Sequence, residues 1–386
     1  MRGKHKVADV LNNHKNNLDK LCNNTWKSRT LHAIRKCRTI ELGGHIDACD
    51  CCNKLHLSYN SCRNRHCATC QGHKREQWIK KRSEELLNIP YYHVVFTLPD
   101  ELNELCLYAP KLVYATLFET AWKTLQGFAA NPKHLGARPV LISLLHTWGQ
   151  NLQLHPHLHC IVPAGGVQEN GEWKSSKNKG NFLFCVKSMS SVFRAKYVAS
   201  LRKKKKDLPQ ILFDNLFKKN WVVYAKKAFV KPEYVIEYLG RYSHKIAISN
   251  HRILKINNKN NTVTFSLKNY KKDGKKETLS VSQTEFIRRF KLHILPKGFT
   301  RIRHYGILSG TWKKKHLKAL QEKLNGNKTK KEEVKNTENQ SKHLQCPNCK
   351  KGTLQTIFVF TKIRPPPTHL LKQIKIQKAH KQKNTK

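Results

Sequence analysis

The chain has 386 residues, of which 74 are Lys or Arg and 25 are Asp or Glu, giving a formal net charge of +49. No apolar run is long enough to cross a bilayer and no signal-peptide pattern follows Met1, so we expect neither a membrane protein nor an exported one. So large an excess of cations repels itself and indicates a polyanionic partner, most simply nucleic acid. A cytoplasmic, nucleoid-associated protein is the expectation that follows.

Hydrophobic periodicity predicts an α+β chain in three parts. We expect a helical and zinc-binding domain over residues 1–88, with its cysteine-rich part at 37–73. A larger domain follows over 89–310, and residues 311–386 form a basic linker, a CPNC knuckle and a disordered basic tail. Buried strands are predicted at Tyr91–Pro99, at Leu152–Gly166 and at Trp221–Phe229, whereas Pro139–Gly149 fits a strand and a helix equally well.

Cysteines are concentrated in one short segment, with seven of the thirteen between Cys37 and Cys70. In a chain without export signals this usage indicates metal ligation rather than disulfides. Cys49 and Cys52 form one C-x-x-C knuckle, and Cys67 and Cys70 form another fourteen residues later. This spacing is typical of a four-cysteine zinc site, whose metal supplies folding energy that a small polar module lacks.

A second zinc site could be built from the remaining ligand types in this segment, Cys37, His45, Cys62 and His66. Two alternatives exist: Cys51 could replace Cys52 as a ligand, and the two histidines could be ordinary surface residues. Cys346 and Cys349 form half of a zinc ribbon that needs partners, such as His343 or His304, or else leaves two free thiols. Basic residues among the ligands suggest that this segment binds DNA. A solvated basic surface on a purely structural zinc-binding segment would account for them equally well.

Three histidines alternate in the segment LQLHPHLHCIVPAGG, at His155, His157 and His159. Side chains alternate between the two faces of a strand, so all three imidazoles should project from one face. This face could be a metal site or only the polar face of an ordinary strand.

Tyr238 and Tyr242 lie four residues apart in a predicted helix that begins near Pro232, so their hydroxyls should share one face. Such a stripe is usually core packing. A divalent metal on His157 and His159 would nevertheless allow a tyrosinate to attack a scissile phosphate, leaving a 5′-phosphotyrosine bond and a free 3′ hydroxyl.

These motifs, taken in order, resemble one known family. They are LGGHIDACDCC…YNSCRNRHCATCQ, VVFTLP, HPHLHCIVPAGG, YLGRYSHKIAISNHR and KGFTRIRHYG with CPNC. They are similar to the two-tyrosine, rolling-circle transposases of insertion sequences, in the HUH endonuclease superfamily. The resemblance implies a ferredoxin- or RRM-like palm with an antiparallel sheet and packed helices, preceded by a zinc-binding domain. It also implies that Tyr238 and Tyr242 are nucleophiles and that His157 and His159 bind Mg²⁺ or Mn²⁺. His155 is the candidate third ligand, with Gln153 as the fallback.

The expected function is therefore a transposase that cleaves and joins single-stranded DNA at element ends and target, with zinc as a structural metal and self-association left open. Two alternatives remain. A plasmid or phage rolling-circle replication initiator would use the same histidines and tyrosines. A zinc-dependent DNA-binding protein without catalysis would use neither.

Overall fold

The computed structural model describes residues 4–22, 24–176, 183–229, 234–235, 240, 246–269, 272–325 and 345–383. It divides into two compact units. One unit combines Met1–His5 with Gln71–Asn327, and the other combines Lys6–Cys70 with Lys328–Lys386. The C-terminal segment thus shares a unit with the cysteine-rich segment, and the predicted domain boundaries stay predictions.

Within the described ranges the helices are α1 (Val7–Asn13), α2 (Thr25–Arg35), α3 (Gln71–Ser83), α4 (Asn103–Tyr108), α5 (Pro110–Ala130), α6 (Val186–Lys204), α7 (Gln210–Lys218), α8 (Gln283–Leu292), α9 (Gly310–Asn325) and α10 (Thr368–Lys383). The strands there are β1 (Gly44–Cys49), β2 (Leu55–Tyr59), β3 (Tyr91–Thr97), β4 (Arg138–Pro139), β5 (Leu141–Trp148), β6 (Leu154–Pro163), β7 (Gly165–Val167), β8 (Trp173–Ser175), β9 (Val223–Phe229), β10 (Ile253–Asn257), β11 (Thr262–Asn269), β12 (Lys275–Ser282), β13 (Ile302–Tyr305) and β14 (Leu354–Phe360).

The larger unit is built on a five-stranded sheet of order β13-β5-β6-β3-β9, in which every neighbouring pair is antiparallel. One face of this sheet packs against α5 and α6 in the main hydrophobic core, where Leu158 and Cys160 of β6 meet Phe118 and Phe193. The opposite face carries the histidines of β6 and a second apolar cluster.

Strand β5 resolves the ambiguous segment at 139–149. Leu141 and Leu145 belong to the main core, whereas Ile142 and Leu144 belong to the cluster on the other face. A strand that is buried on both faces reads as a continuous apolar run, so the alternation that would have identified it is absent. Two smaller antiparallel sheets, β10-β11-β12 and β4-β7-β8, complete the unit. Helix α8 packs on the first of them, with Phe286 edge-on to Phe265.

The smaller unit is a three-stranded antiparallel sheet of order β14-β1-β2 together with α1, α2 and α10. Ile374 of α10 packs with Ile46 and Phe360 of the sheet, and the Gln377 side chain accepts a hydrogen bond of 2.9 Å from the Leu55 backbone N–H. The prediction of a disordered basic tail is therefore wrong over the described residues up to 383. Its apolar positions at 370 and 374 lie one helical turn apart, and they dock the helix.

The expectation of an α+β chain with antiparallel sheets and a cysteine-rich N-terminal domain is confirmed. In the part of the chain that the structure describes, no helix has the length and apolar character that crossing a membrane requires.

Candidate metal centres and the histidine face of the sheet

The first sulfur cluster gathers Cys37, Cys62, Cys67 and Cys70, whose sulfur atoms all lie within 4.8 Å of one another. Cys37 follows α2, and the other three lie in the loop that leads to α3. Sγ of Cys70 is 3.4 Å from that of Cys37 and 3.6 Å from that of Cys62. The backbone N–H of Cys62 donates to the sulfur of Cys37 at 3.5 Å, as it would to a thiolate.

The second sulfur cluster joins two distant parts of the sequence, Cys49 with Cys52 and Cys346 with Cys349. Sγ of Cys49 lies 3.6 Å from Sγ of Cys349, and Sγ of Cys52 lies 3.8 Å from Sγ of Cys346. Hydrogen bonds from the backbone N–H groups of Gly352 and Lys351 lower the pKa of Cys349 to about 6. This thiol is thus prepared for the thiolate form that binds metal.

Strand pairing explains how the distant knuckle reaches the first one. β1 ends at Cys49, and Cys52 lies in the turn that leads to β2. Cys49 is the register partner of Leu354, where β14 begins. The CPNC knuckle immediately precedes β14, so antiparallel pairing of β14 with β1 brings Cys346 and Cys349 beside that turn.

These two clusters regroup the ligands that the sequence analysis assigned. Cys49 and Cys52 are separated from Cys67 and Cys70, which instead join Cys37 and Cys62. His45 and His66 belong to neither cluster. His45 is 3.3 Å from a carboxylate oxygen of Asp47, and Nε2 of His66 accepts a hydrogen bond of 3.3 Å from Arg65. Cys51 is exposed, and its neighbour Cys52 takes the place in the cluster.

Both sulfur clusters fit zinc. With Zn–S bonds of about 2.3 Å, a tetrahedron places its sulfur atoms about 3.8 Å apart. The sulfur–sulfur distances of 3.4–3.8 Å in the two clusters lie close to that edge length. Four cysteines are the donor set of a structural zinc site, so the described residues offer two such sites.

A third cluster lies on the sheet of the larger unit and contains nitrogen donors only. His146 of β5 and His157 and His159 of β6 each offer a ring nitrogen within 4.8 Å of the others. His146 and His157 are register partners, and His159 is the next side chain on the same face of β6. His146 and His159 are buried at 3% and 8% exposure, whereas His157 is partly exposed, so the cluster is open on one side.

Hydrogen bonds orient two of these rings. Nδ1 of His157 donates to the backbone carbonyl of His155 at 2.6 Å, and Nδ1 of His159 lies 2.9 Å from Nε2 of His93. In both rings Nδ1 is engaged, so a metal would be bound through Nε2. His146 is held by Trp148, whose ring stacks on it at 4.5 Å between centroids.

Of the three alternating histidines, His155 is outside this cluster and is exposed. The third nitrogen comes from His146, which the sequence analysis did not single out. The sequence gives little indication of this position, because the apolar run around His146 does not reveal the register in which β5 pairs with β6. The Gln153 side chain accepts a hydrogen bond of 3.0 Å from Asn151 instead.

Tyr238 and Tyr242 lie outside the described residues, so their predicted roles stay predictions. Two described residues of the same segment are placed. Val235 is fully buried in the apolar cluster that includes Ile142 and Ile161, on the histidine face of the sheet. Gly240 lies so close to α3 that an added methyl group would overlap the Ile79 side chain.

Comparison with known proteins places the chain in a family. A family model described as "Transposase zinc-binding domain", named for IS91, matches residues 10–98, and one described as "Putative transposase" matches residues 141–316. "Putative transposase y4qJ" of Sinorhizobium fredii (strain NBRC 101917 / NGR234) is 39% identical over 369 residues, which cover 89% of this chain and 92% of that protein. The chain belongs to the IS91-type family of insertion-sequence transposases.

A second relative of this transposase is the transposase for insertion sequence element IS801 of Pseudomonas savastanoi pv. phaseolicola. It is 30% identical over 296 residues, covering 72% of this chain and 70% of that protein. A solved structure of a bacterial tRNA(His) guanylyltransferase (Thg1)-like protein in complex with ATP aligns with 58% of this chain and 99% of that one, at 11% identity and a TM-score of 0.19. A likeness that weak carries no argument about the fold.

The two matched regions contain different clusters of the transposase. Residues 10–98 contain all four cysteines of the first sulfur cluster but only half of the second. Residues 141–316 contain all three clustered histidines and both tyrosines of the predicted nucleophile pair. Cys346 and Cys349 lie beyond both regions, so the second sulfur cluster extends the zinc-binding unit past the matched domain.

Proposed function

We propose that this transposase is an HUH-type endonuclease and strand transferase that acts on single-stranded ends of a rolling-circle insertion sequence. The observation that carries the proposal is the grouping of three imidazole nitrogens, from His146, His157 and His159, within 4.8 Å on one sheet face. The five-stranded antiparallel sheet would be the palm that presents them.

The clustered histidines are suited to hold one divalent cation, with the open side at His157 left for a phosphate oxygen. A set of three nitrogens favours Mn²⁺ over Mg²⁺, because imidazole suits transition metals better than it suits Mg²⁺. When bound, a cation there would neutralise charge on a non-bridging oxygen of the scissile phosphate. His146 replaces His155 as the proposed third ligand.

Tyr238 or Tyr242 would supply the nucleophile. The phenol gives up its proton, its oxygen forms a bond to phosphorus, and the bond from phosphorus to the 3′ oxygen breaks in line. The 3′ oxygen takes up a proton, leaving a free 3′ hydroxyl and a 5′-phosphotyrosine ester. One phosphodiester is exchanged for another, so the reverse attack by a 3′ hydroxyl can rejoin strands without ATP.

The placement of Val235 and Gly240 supports this assignment. They are the described residues that flank Tyr238 in the sequence. Val235 packs into the apolar cluster on the sheet face that carries the histidines. The charge of +49 favours a DNA backbone as the partner, with the zinc-binding unit as a second candidate contact.

The deciding experiment incubates the full chain and Mn²⁺ with single-stranded oligonucleotides taken from the ends of its element. Denaturing gels should show a covalent protein–DNA adduct and a free 3′ hydroxyl product. Tyr238→Phe with Tyr242→Phe should abolish the adduct. Tyr234→Phe is the matched control and should retain it, because Tyr234 lies in the same segment and is exposed.

An adduct that survives in the double variant would refute the nucleophile assignment. A wild-type chain that binds the oligonucleotide but never becomes linked to it would favour a zinc-dependent DNA-binding protein without catalysis. Cleavage that needs no divalent cation would remove the proposed role of the histidines.

A further inference from the structure

His93 is a buried histidine that lies beside the histidine cluster and has no part in the mechanism proposed above. It belongs to β3 and is 3% exposed. Val95, two residues further along β3, is the register partner of His159, so His93 points to the same sheet face as the cluster. Its Nε2 lies 2.9 Å from Nδ1 of His159, and the two rings are nearly parallel, with 14° between their planes.

The direction of this hydrogen bond decides whether His159 can bind a cation. If Nε2 of His93 donated to Nδ1 of a neutral His159, the proton of His159 would lie on Nε2 and block that nitrogen as a ligand. If His159 donates from Nδ1 and His93 accepts, Nε2 of His159 keeps its lone pair. Only the second arrangement is compatible with His159 as a ligand through Nε2.

His157 makes the equivalent bond to a group that can only accept. Its Nδ1 donates to the backbone carbonyl of His155, which fixes its tautomer without a second side chain. His159 has a side-chain partner instead, and that partner can be replaced by mutation. Replacing His93 can therefore reorient His159 while every proposed ligand side chain and the backbone stay unchanged.

We propose that His93 is the positioning residue of the metal site: as a neutral acceptor it holds His159 in the tautomer and ring orientation that bind a divalent cation. The inference rests on the proposed function of the histidine cluster. It adds a fourth histidine, which lies outside the group of proposed ligands. Ligand histidines commonly donate their second nitrogen to such a partner, and losing the partner typically weakens metal binding about 10- to 100-fold.

The test measures Mn²⁺ affinity of the full zinc-loaded chain by titration, with free Mn²⁺ followed by its electron paramagnetic resonance signal. His93→Gln places an amide oxygen near the former Nε2 position and keeps an acceptor. His93→Asn carries the same amide on a shorter side chain, which cannot reach His159. Both variants are polar, so the comparison does not depend on the folding of a bulky apolar replacement.

His304→Gln is the matched control. His304 is partly buried in the same sheet, on strand β13, but its Nε2 bonds to Arg82 and not to a clustered histidine. We expect His93→Asn to bind Mn²⁺ about 10- to 100-fold more weakly than wild type. We expect His93→Gln and His304→Gln to stay within a few-fold of wild type, with zinc content unchanged in all three.

Equal affinity of His93→Asn and wild type would overturn the inference while leaving the metal site intact. Equal losses in His93→Asn and His93→Gln would overturn it too, because the ring itself, and not its acceptor, would then be required. If wild type binds no Mn²⁺, or binds it equally after His157→Ala with His159→Ala, the proposed function fails instead. The four variants thus separate the two failures.

Discussion

The sulfur clusters and the histidine cluster differ in how much hydrophobic core supports the residues around them. The sheet β14-β1-β2 has a small apolar centre around Ile46, Phe360 and Ile374, and one sulfur cluster lies at its end. The histidines lie on a sheet whose other face covers the main hydrophobic core of the larger unit. Zinc should therefore stabilise the fold in the first region, whereas in the second the fold itself positions the histidines of the proposed metal site.

Ligand chemistry sharpens this difference. Four cysteines bind zinc as thiolates, whose mutual repulsion only a cation relieves, so the apo cluster should open. Neutral imidazoles repel one another little, and hydrogen bonds at Nδ1 of His157 and of His159 already hold their rings. The histidine cluster should thus keep its geometry without metal.

The largest effect is expected from breaking the second sulfur cluster. Cys52→Ser should lower the zinc content by one ion and expose residues 345–383 to trypsin, since structural zinc contributes about 10 kcal/mol or more of apparent folding free energy. Cys51→Ser is the adjacent control and should keep both ions, because Cys51 is outside the clusters. Zinc analysis by mass spectrometry and timed proteolysis measure both.

A loss of zinc in Cys51→Ser, or full zinc in Cys52→Ser, would contradict the grouping of ligands. If Cys52→Ser lost zinc while 345–383 stayed protected, the fold there would not depend on metal. The claim that zinc stabilises the fold around the sulfur clusters would then be wrong.

Removing the proposed histidine ligands should have a large effect on activity and a small one on stability. His157→Ala with His159→Ala should reduce single-strand cleavage at least about a thousandfold, since metal stabilisation of the transition state is worth several kcal/mol. The melting temperature of the larger unit should change by only about 2–4 °C. Cleavage gels and calorimetry on the same samples test this, and unfolding of the unit would contradict it.

The smallest effect concerns pH and a histidine that binds no metal. Burial, and then the charge of Arg82, lowers the pKa of His304 to about 4. The unfolded chain binds this proton near pH 6.5 and the folded unit only near pH 4, so the free energy of unfolding falls as the pH drops between these values. At pH 5 the loss from His304 is about 2 kcal/mol.

Urea unfolding at pH 7 and pH 5 measures this dependence. His304→Gln should remove about 2 kcal/mol of the difference between the two pH values. An unchanged difference would mean that His304 is protonated in the folded unit. That result would also weaken its use as a neutral, partly buried control for His93.

Local patterns predicted some of these features well. Alternation along β6 correctly placed His157 and His159 on one face, because the period of a strand is a local property. His146 was missed because its role depends on the register between β5 and β6, which no local pattern encodes. The C-x-x-C knuckles were visible, but their pairing depends on β14 finding β1 across most of the chain. The tyrosine pair remains a prediction.

The second sulfur cluster has a consequence for biosynthesis. Cys52 and Cys346 are 294 residues apart, and a ribosome that adds about 5–20 residues per second needs about 15–60 s to cover that interval. During this time only Cys49 and Cys52 of the second sulfur cluster have been synthesised, while the sheet of the larger unit can already fold. The zinc-binding unit closes only after the CPNC knuckle has emerged, so a prematurely terminated chain would carry the histidine face without a complete zinc-binding unit.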